Sequence, residues 1–252
     1  KRHYKFDEQG ITNEIIEERR RSAYFVPIPQ PKKKGKQLSF DTQWTSDRLE
    51  ENKFINQVRE RVSQWRSGGY VGITRTTRRL LEYWLREERA EGKIPFFCQI
   101  EAVETAVYFT EVASKYGDAH FQSELRRMSD EAGTPLLRIA LKLATGTGKT
   151  LIMSMLIAWH TLNKAANPQD SRFTDTFLIV SPNITIRDRL RVLQPSDPEN
   201  YYRGKDIVPP ELMETMHGAK FLITNYHAFI QRDKSDGSRL TKILSGQAKT
   251  GA

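Results

Sequence analysis

Cysteine is almost absent: Cys98 stands alone in 252 residues. No disulfide can form within the chain, no Cys/His cluster has the spacing of a zinc site, and the cytoplasm is the compartment that fits most simply. Long apolar runs are missing too. The longest, Leu151 to Trp159, is nine residues broken by Ser154, against about 20 needed to cross a bilayer. No membrane is therefore expected as a partner. The chain opens at Lys1 with no charged-then-apolar leader and no initiating Met. It reads as a portion of a longer protein without an export signal. No internal repeat is visible.

What is abundant is charge. Forty Lys and Arg against 31 Asp and Glu give a net charge of +9, while 38% of residues are hydrophobic. The chain can bury a core beneath an ionic surface, and disorder over its whole length is excluded. Residues 1–100 hold 21 of the basic and 14 of the acidic side chains, so the basic bias is N-terminal. Such a surface favours polyanions through counterion release.

Three regions follow from the patterning. Residues 1–45 read as an extended or irregular, basic lead-in, because Pro27, Pro29 and Pro31 forbid a regular helix. The clusters Arg19–Arg21 and Lys32–Lys36 suit either phosphate contacts or a solvated loop. Residues 46–130 read as helical. Asp47 with Glu50 resembles a capping box, and Phe54, Val58, Val62 and Trp65 recur at helical steps up to Gly68-Gly69. A second helix is predicted from Thr74 or Thr77, burying Leu80, Leu81, Trp84 and Leu85 and stopping by Gly92, and a third from Gln99 to Tyr116. Residues 118–129 continue as a short helix. Trp65 and Trp84 are expected as core anchors between the first two helices rather than as nucleobase platforms.

Residues 131–252 change period. Leu137 to Leu143 alternates as a strand does, Leu151 to Leu162 is an apolar helix, and Phe177 to Val180 reads as a second strand. A helix from Ile184 to Leu193 and a third strand from Phe221 to Thr224 follow. Strands alternating with helices at this spacing predict an α/β fold with a parallel sheet.

The sharpest motif lies between the first of these strands and its helix, at Thr145-Gly146-Thr147-Gly148-Lys149-Thr150. Gly146 and Gly148 let the backbone approach a polyphosphate closely, and successive N–H groups can face the anion. Lys149 suits the β and γ phosphates, and the Thr150 hydroxyl suits the shell of Mg2+. A nucleotide polyphosphate with Mg2+ is the expected ligand. The general pattern G-x-x-x-x-G-K-[ST] would place glycine where Leu143 stands.

With these motifs the sequence resembles superfamily 2 helicases and translocases, and among them the restriction subunit of Type III restriction enzymes. The segments carrying the resemblance are Ala144–Thr150, Ser181–Leu190, Ile223–His227 and, with no independent chemistry, Tyr201–Arg203 with Asp206–Pro210. It implies a RecA-like P-loop lobe, the first of a motor and incomplete here, preceded by the helical region. It implies that Gln99 reads adenine, for which an amide is suited. It also implies that Pro182, Asn183, Thr185 and Arg187, together with Asn225 and Tyr226, touch the nucleic-acid backbone. His227 taken alone suggests a structural histidine.

A motor of this kind also needs an acidic pair after a later strand and arginines from a second lobe. Asp130-Glu131 precedes the P-loop, and nothing after Tyr226 supplies the pair. The chain by itself is expected to bind nucleotide weakly and to hydrolyse it hardly at all. The resulting expectation is the ATP-binding part of an ATP-dependent helicase or translocase of restriction type. It would act on double-stranded DNA in restriction or phage defence, partnered by a methyltransferase or another defence subunit. The alternative is a non-catalytic, nucleotide-switched module that docks a partner protein. A P-loop kinase is disfavoured by residues 181–190 and 223–227.

Overall fold

The computed structural model describes residues 3–7, 10–25, 49–133 and 136–229. The chain divides into two compact units at the boundary between Gly69 and Tyr70. None of the described helices is long and apolar enough to cross a membrane.

The first unit corrects the expectation of an irregular lead-in. Strands β1 (His3–Asp7) and β2 (Gly10–Ile16) pair antiparallel, with a register shift between Tyr4 and Phe6. Tyr4, Ile11, Ile15 and Ile16 supply the β-branched and aromatic content that favours strands, and Lys5 meets Glu14 at 2.8 Å across the ladder. Strand β3 (Ala23–Phe25) pairs with β4 (Leu49–Glu51). Pro27, Pro29, Pro31, Lys32–Lys36 and Asp47 lie outside the described residues.

Helix α1 (Lys53–Ser67) starts later than the Asp47–Glu50 signal suggested. Its cap is Asn52, whose Oδ1 accepts from Ile55 N at 3.1 Å, and Glu50 belongs to β4. The reason is a competing ladder. The Asn52 amide donates to Ser22 O at 2.9 Å and Tyr24 Oη to Glu50 at 3.0 Å, which holds 49–51 extended. Val58, Val62 and Trp65 are buried as their spacing predicts.

In the second unit, α2 (Arg75–Leu85) is capped by Thr74, and Thr77, Leu80, Leu81 and Trp84 form its buried stripe. Leu85, expected inside, is 44% exposed. It is the helix's last residue and lies one position beyond the stripe. Helix α3 (Phe97–Val107) runs on into a π-turn at Tyr108–Val112, and Gly117, at φ 81°, ends the element. Helix α4 (Ala119–Glu131) follows.

Residues 137–143 do not form the strand their alternation predicts. Leu136 and Leu137 are 71% and 47% exposed. Alternation provides two faces, but a strand also needs a ladder partner, and among the described residues none pairs with this segment. The remaining elements follow the sequence reading, apart from two short helices within residues 201–216 that it did not include. They are α5 (Lys149–Ala166), β5 (Thr176–Ser181), α6 (Ile184–Arg189) with a 3-10 turn to Leu193, α7 (Tyr201–Gly204), α8 (Met213–Met216) and β6 (Lys220–Asn225). Strands β5 and β6 pair parallel, from Thr176↔Lys220 to Ser181↔Asn225. The unit is thus mixed helix and strand around a two-stranded parallel sheet.

Helix α5 is the core. Ile152, Met155, Ala158, Trp159 and Leu162 are buried, and α5 packs on α2 and α3. His160 reaches the sheet through Phe173 and Phe177, whose ring stacks on Phe221 at 5.4 Å. A buried polar network ties the same helix to α2. The Glu111 carboxylate accepts from Thr74 N (2.7 Å), Thr77 Oγ1 (2.6 Å) and Trp159 Nε1 (2.9 Å), and Asn163 Nδ2 donates to Thr77 Oγ1 at 3.0 Å.

The segment 201–210, to which sequence gave no chemistry, is a clamp in the crossover from β5 to β6. Tyr202 Oη donates to Leu193 O at 2.6 Å, and Trp84 Nε1 donates to Ile207 O at 2.8 Å. Asp206, at φ 56°, accepts from Tyr83 Oη and Arg86. Arg89 donates to the Lys205 and Asp206 carbonyls at 3.0 and 2.8 Å. Trp84 is therefore a core anchor of the second unit, and Trp65 is buried in the first.

Glu111→Ala would leave Thr74 N and Thr77 Oγ1 without their acceptor and Trp159 Nε1 with Thr77 alone, a loss expected at about 3 kcal/mol in the stability read from chemical unfolding. A second expectation concerns pH. Burial pulls the His160 imidazole down to about 4, and its Nδ1 has no partner. The unfolded chain, with histidine near its ordinary 6.5, binds the proton first. Stability on this account is complete above pH 6.5 and falls as pH drops toward 4, by about 3 kcal/mol. Unfolding curves between pH 4 and 7 should show a shallower dependence in His160→Leu than in the wild type.

Candidate functional site

The phosphate loop is built by two left-handed glycines and a buried helix. Gly146 and Gly148 have φ of 83° and 74°, which a side chain would strain. At Gly148 an added Cβ would also fall onto the carboxamide nitrogen of Gln99. Gly148 is the N-cap of α5 and brings no side chain, so no side chain caps this helix. The amides of its first turn, beginning at Lys149 and Thr150, keep the donor capacity and positive dipole end that hold anions.

Lys149 is exposed at this helix start, and its Nζ donates to Ala144 O at 2.8 Å across the loop. Thr147 Oγ1 donates to the same carbonyl at 2.8 Å. Thr145 is exposed, and Thr150 is half-buried beside Lys149. The residues present fit a polyphosphate with a divalent cation: backbone donors in a glycine cradle, one exposed ammonium, and one hydroxyl of the kind Mg2+ accepts.

Gln99 lies directly beneath this loop. It is 3% exposed. Its Oε1 accepts from Phe96 N at 2.8 Å, closing the first turn of α3, and its Nε2 donates to Thr147 O at 2.8 Å. One amide hydrogen and one lone pair remain beyond these two bonds. The brace on Thr147 was not foreseen. A glutamine at the third position of a helix is half of a capping signature, but Phe96 stands where the signature wants Ser, Thr, Asp or Asn.

A second group of predicted residues collects at the C-terminal edge of the parallel pair. Ser181 and Asn225 are register partners, so Pro182 and Tyr226 leave adjacent strand ends. Asn183 caps α6, its Oδ1 accepting from Ile186 N at 2.9 Å. Pro182, Asn183 and Thr185 are exposed, and Arg187 meets Asp188 at 2.9 Å. Tyr226 is exposed, its ring 4.0 Å from that of His227. Ser181 ties the edge together, its hydroxyl within reach of Asn183 O (2.8 Å) and Thr224 O (3.3 Å). In the sequence Ser181 signalled only the end of a strand. The ends of parallel strands are where α/β folds place ligand contacts.

Residues 94–245, more than half of the chain, match the family described as "Type III restriction enzyme, res subunit". The chain belongs to this family, which makes the site part of a helicase-like, nucleotide-binding module. No curated protein and no solved structure matches the chain significantly.

Removing the Gln99 brace should loosen the loop whatever base the nucleotide carries. In titrations with fluorescent nucleotides, Gln99→Ala is expected to weaken GTP about tenfold, the worth of one buried hydrogen bond, and ATP by more, because the amide's remaining donor and lone pair suit adenine. A loss confined to ATP would assign Gln99 to adenine alone.

Proposed function

We propose, because the chain belongs to that family and carries the glycine cradle, that it is the ATP-binding part of an ATP-dependent helicase or translocase of restriction type. The parallel pair β5–β6 with α5 and α6 supports a RecA-like first motor lobe. The substrate is double-stranded DNA, and the setting is restriction or phage defence in the cytoplasm, with a methyltransferase or another defence subunit as partner. The observation that carries the reading is the juxtaposition of Gly148, Lys149 and the uncapped start of α5 with Gln99 behind them.

In this reading Thr145 to Thr150 wrap the triphosphate with backbone N–H groups. Lys149 moves from the Ala144 carbonyl to the β and γ phosphates. Mg2+, held through the Thr150 hydroxyl, would neutralise charge on the same phosphates. Gln99 holds the Thr147 carbonyl in place and offers its remaining donor and lone pair to adenine. Pro182, Asn183, Thr185, Arg187, Asn225 and Tyr226 contact the DNA backbone at the sheet edge. Such contacts position the duplex without reading its sequence.

The test is ATP hydrolysis by the full-length gene product with and without double-stranded DNA. Stimulation by DNA is expected. Lys149→Ala should lower the stimulated rate by about a hundredfold or more, the scale of losing one preorganised charge. Nucleotide binding with no turnover under any nucleic acid would overturn the motor and favour the nucleotide-switched docking module.

A further inference from the structure

The first unit carries a basic cleft that the motor reading does not use. It lies between the segment 19–21 and one face of α1, with a volume of about 440 Å3. Five basic side chains line it (Arg19, Arg20, Arg21, Lys53 and Arg59) against two acidic ones, Glu51 and Glu60. The other described lining residues are Asn56, Gln57 and Ser63, so every described residue of the lining is charged, amide or hydroxyl.

The arginines are not on a loose loop. Ser22, the next residue, is pinned to the start of α1 by three bonds. Its amide donates to Asn56 Oδ1 at 2.8 Å, and its carbonyl accepts from Asn56 Nδ2 at 3.1 Å and from the Asn52 amide at 2.9 Å. Arg21 is further oriented by Glu51 at 3.1 Å. Lys53, Asn56, Gln57 and Glu60 fall at i, i+3, i+4 and i+7 of α1, opposite Val58, Val62 and Trp65, which are buried. The fold thus presents Arg19 and Arg20 beside Lys53 and Arg59 across a shared concavity.

We propose that this cleft is a binding site for the phosphodiester backbone of nucleic acid, belonging to the first unit and distinct from the ATP loop. Guanidinium groups match phosphate oxygens with paired N–H donors. Arg, Lys, Asn, Gln and Ser are the side chains that make backbone contacts in protein–nucleic acid interfaces. A site that inserts into a membrane surface carries an apolar face beside its cations, and a protein hot spot is built on an apolar or aromatic anchor. Among the described residues the lining has neither. The site requires nothing of the ATP loop, so it stands or falls apart from the motor.

The experiment is binding of a fluorescent 30-base-pair duplex to the full-length gene product without nucleotide, measured by anisotropy across a salt series. The triple variant Arg19→Glu/Arg20→Glu/Arg59→Glu is expected to weaken binding at least tenfold at about 0.1 M salt. It should also flatten the slope of log affinity against log salt by about two to three, with nucleotide affinity unchanged. Unaltered affinity and slope would overturn the proposal. Independently of any variant, a duplex with a photoreactive backbone should crosslink the wild type within residues 19–21 and 53–63. Adducts confined to residues 144–229 would overturn it. So would a triple variant that loses binding to phosphatidylserine vesicles but keeps the duplex. Lys149→Ala, which disables the ATP loop, should bind the duplex with wild-type affinity and salt slope. Failure of ATP hydrolysis alone therefore leaves the cleft standing.

Discussion

The burial of α5 is the constraint on which the second unit depends. A phosphate loop works only if the helix that ends it cannot shift, because the anion is held by backbone groups whose directions the helix sets. Here Ile152, Met155, Ala158, Trp159 and Leu162 are enclosed. The far half of the helix is also locked through polar groups, Trp159 and Asn163 sharing Thr77 and Glu111 with α2. Buried networks of this kind stabilise one arrangement over its neighbours, since any slip leaves donors without acceptors. The near end is held by α3, whose Gln99 touches Thr147 and stands against Gly148.

The helices before the phosphate loop are therefore part of the machinery that shapes it. Helix α2 carries Thr74 and Thr77 into the network and sends Trp84 to the crossover, while Tyr83, Arg86 and Arg89 gather at Asp206. The crossover leads from β5 to β6 and so sets where the two strand ends meet. Loop, crossover and sheet edge all depend on one helical frame. A motor lobe needs a comparable frame if changes at the phosphates are to be felt at the strand ends.

Much of this was legible in the sequence because it rests on local chemistry. The stripes Val58–Val62–Trp65 and Leu80–Leu81–Trp84 follow from periodicity, and the apolar helix after Lys149 and the two strands of the parallel sheet from their apolar runs. Gly146 and Gly148 follow from what a phosphate loop demands of its backbone. Apart from the local hairpin at 3–16, what escaped depends on partners far along the chain. The Asp47–Glu50 signal lost to a ladder between 23–25 and 49–51, and the hairpin at 3–16 lay where prolines further on suggested irregular chain. The alternation at 137–143 promised a strand, yet alternation says nothing about which segment supplies the hydrogen bonds. Gln99 was legible as a residue but not in its contact with Thr147, 48 positions away. The clamp at Asp206 was likewise visible only as a resemblance until Trp84 and Arg89 were placed beside it.

The central claim is that residues 144–152 form a nucleotide cradle whose shape is held from α3. Amide hydrogen exchange of the full-length gene product, with and without ATP and Mg2+, tests it most directly. The account predicts added protection at residues 144–152 together with residues 96–100, and loss of both in Gly148→Ala. Protection that appears elsewhere while 144–152 exchanges unchanged would contradict it.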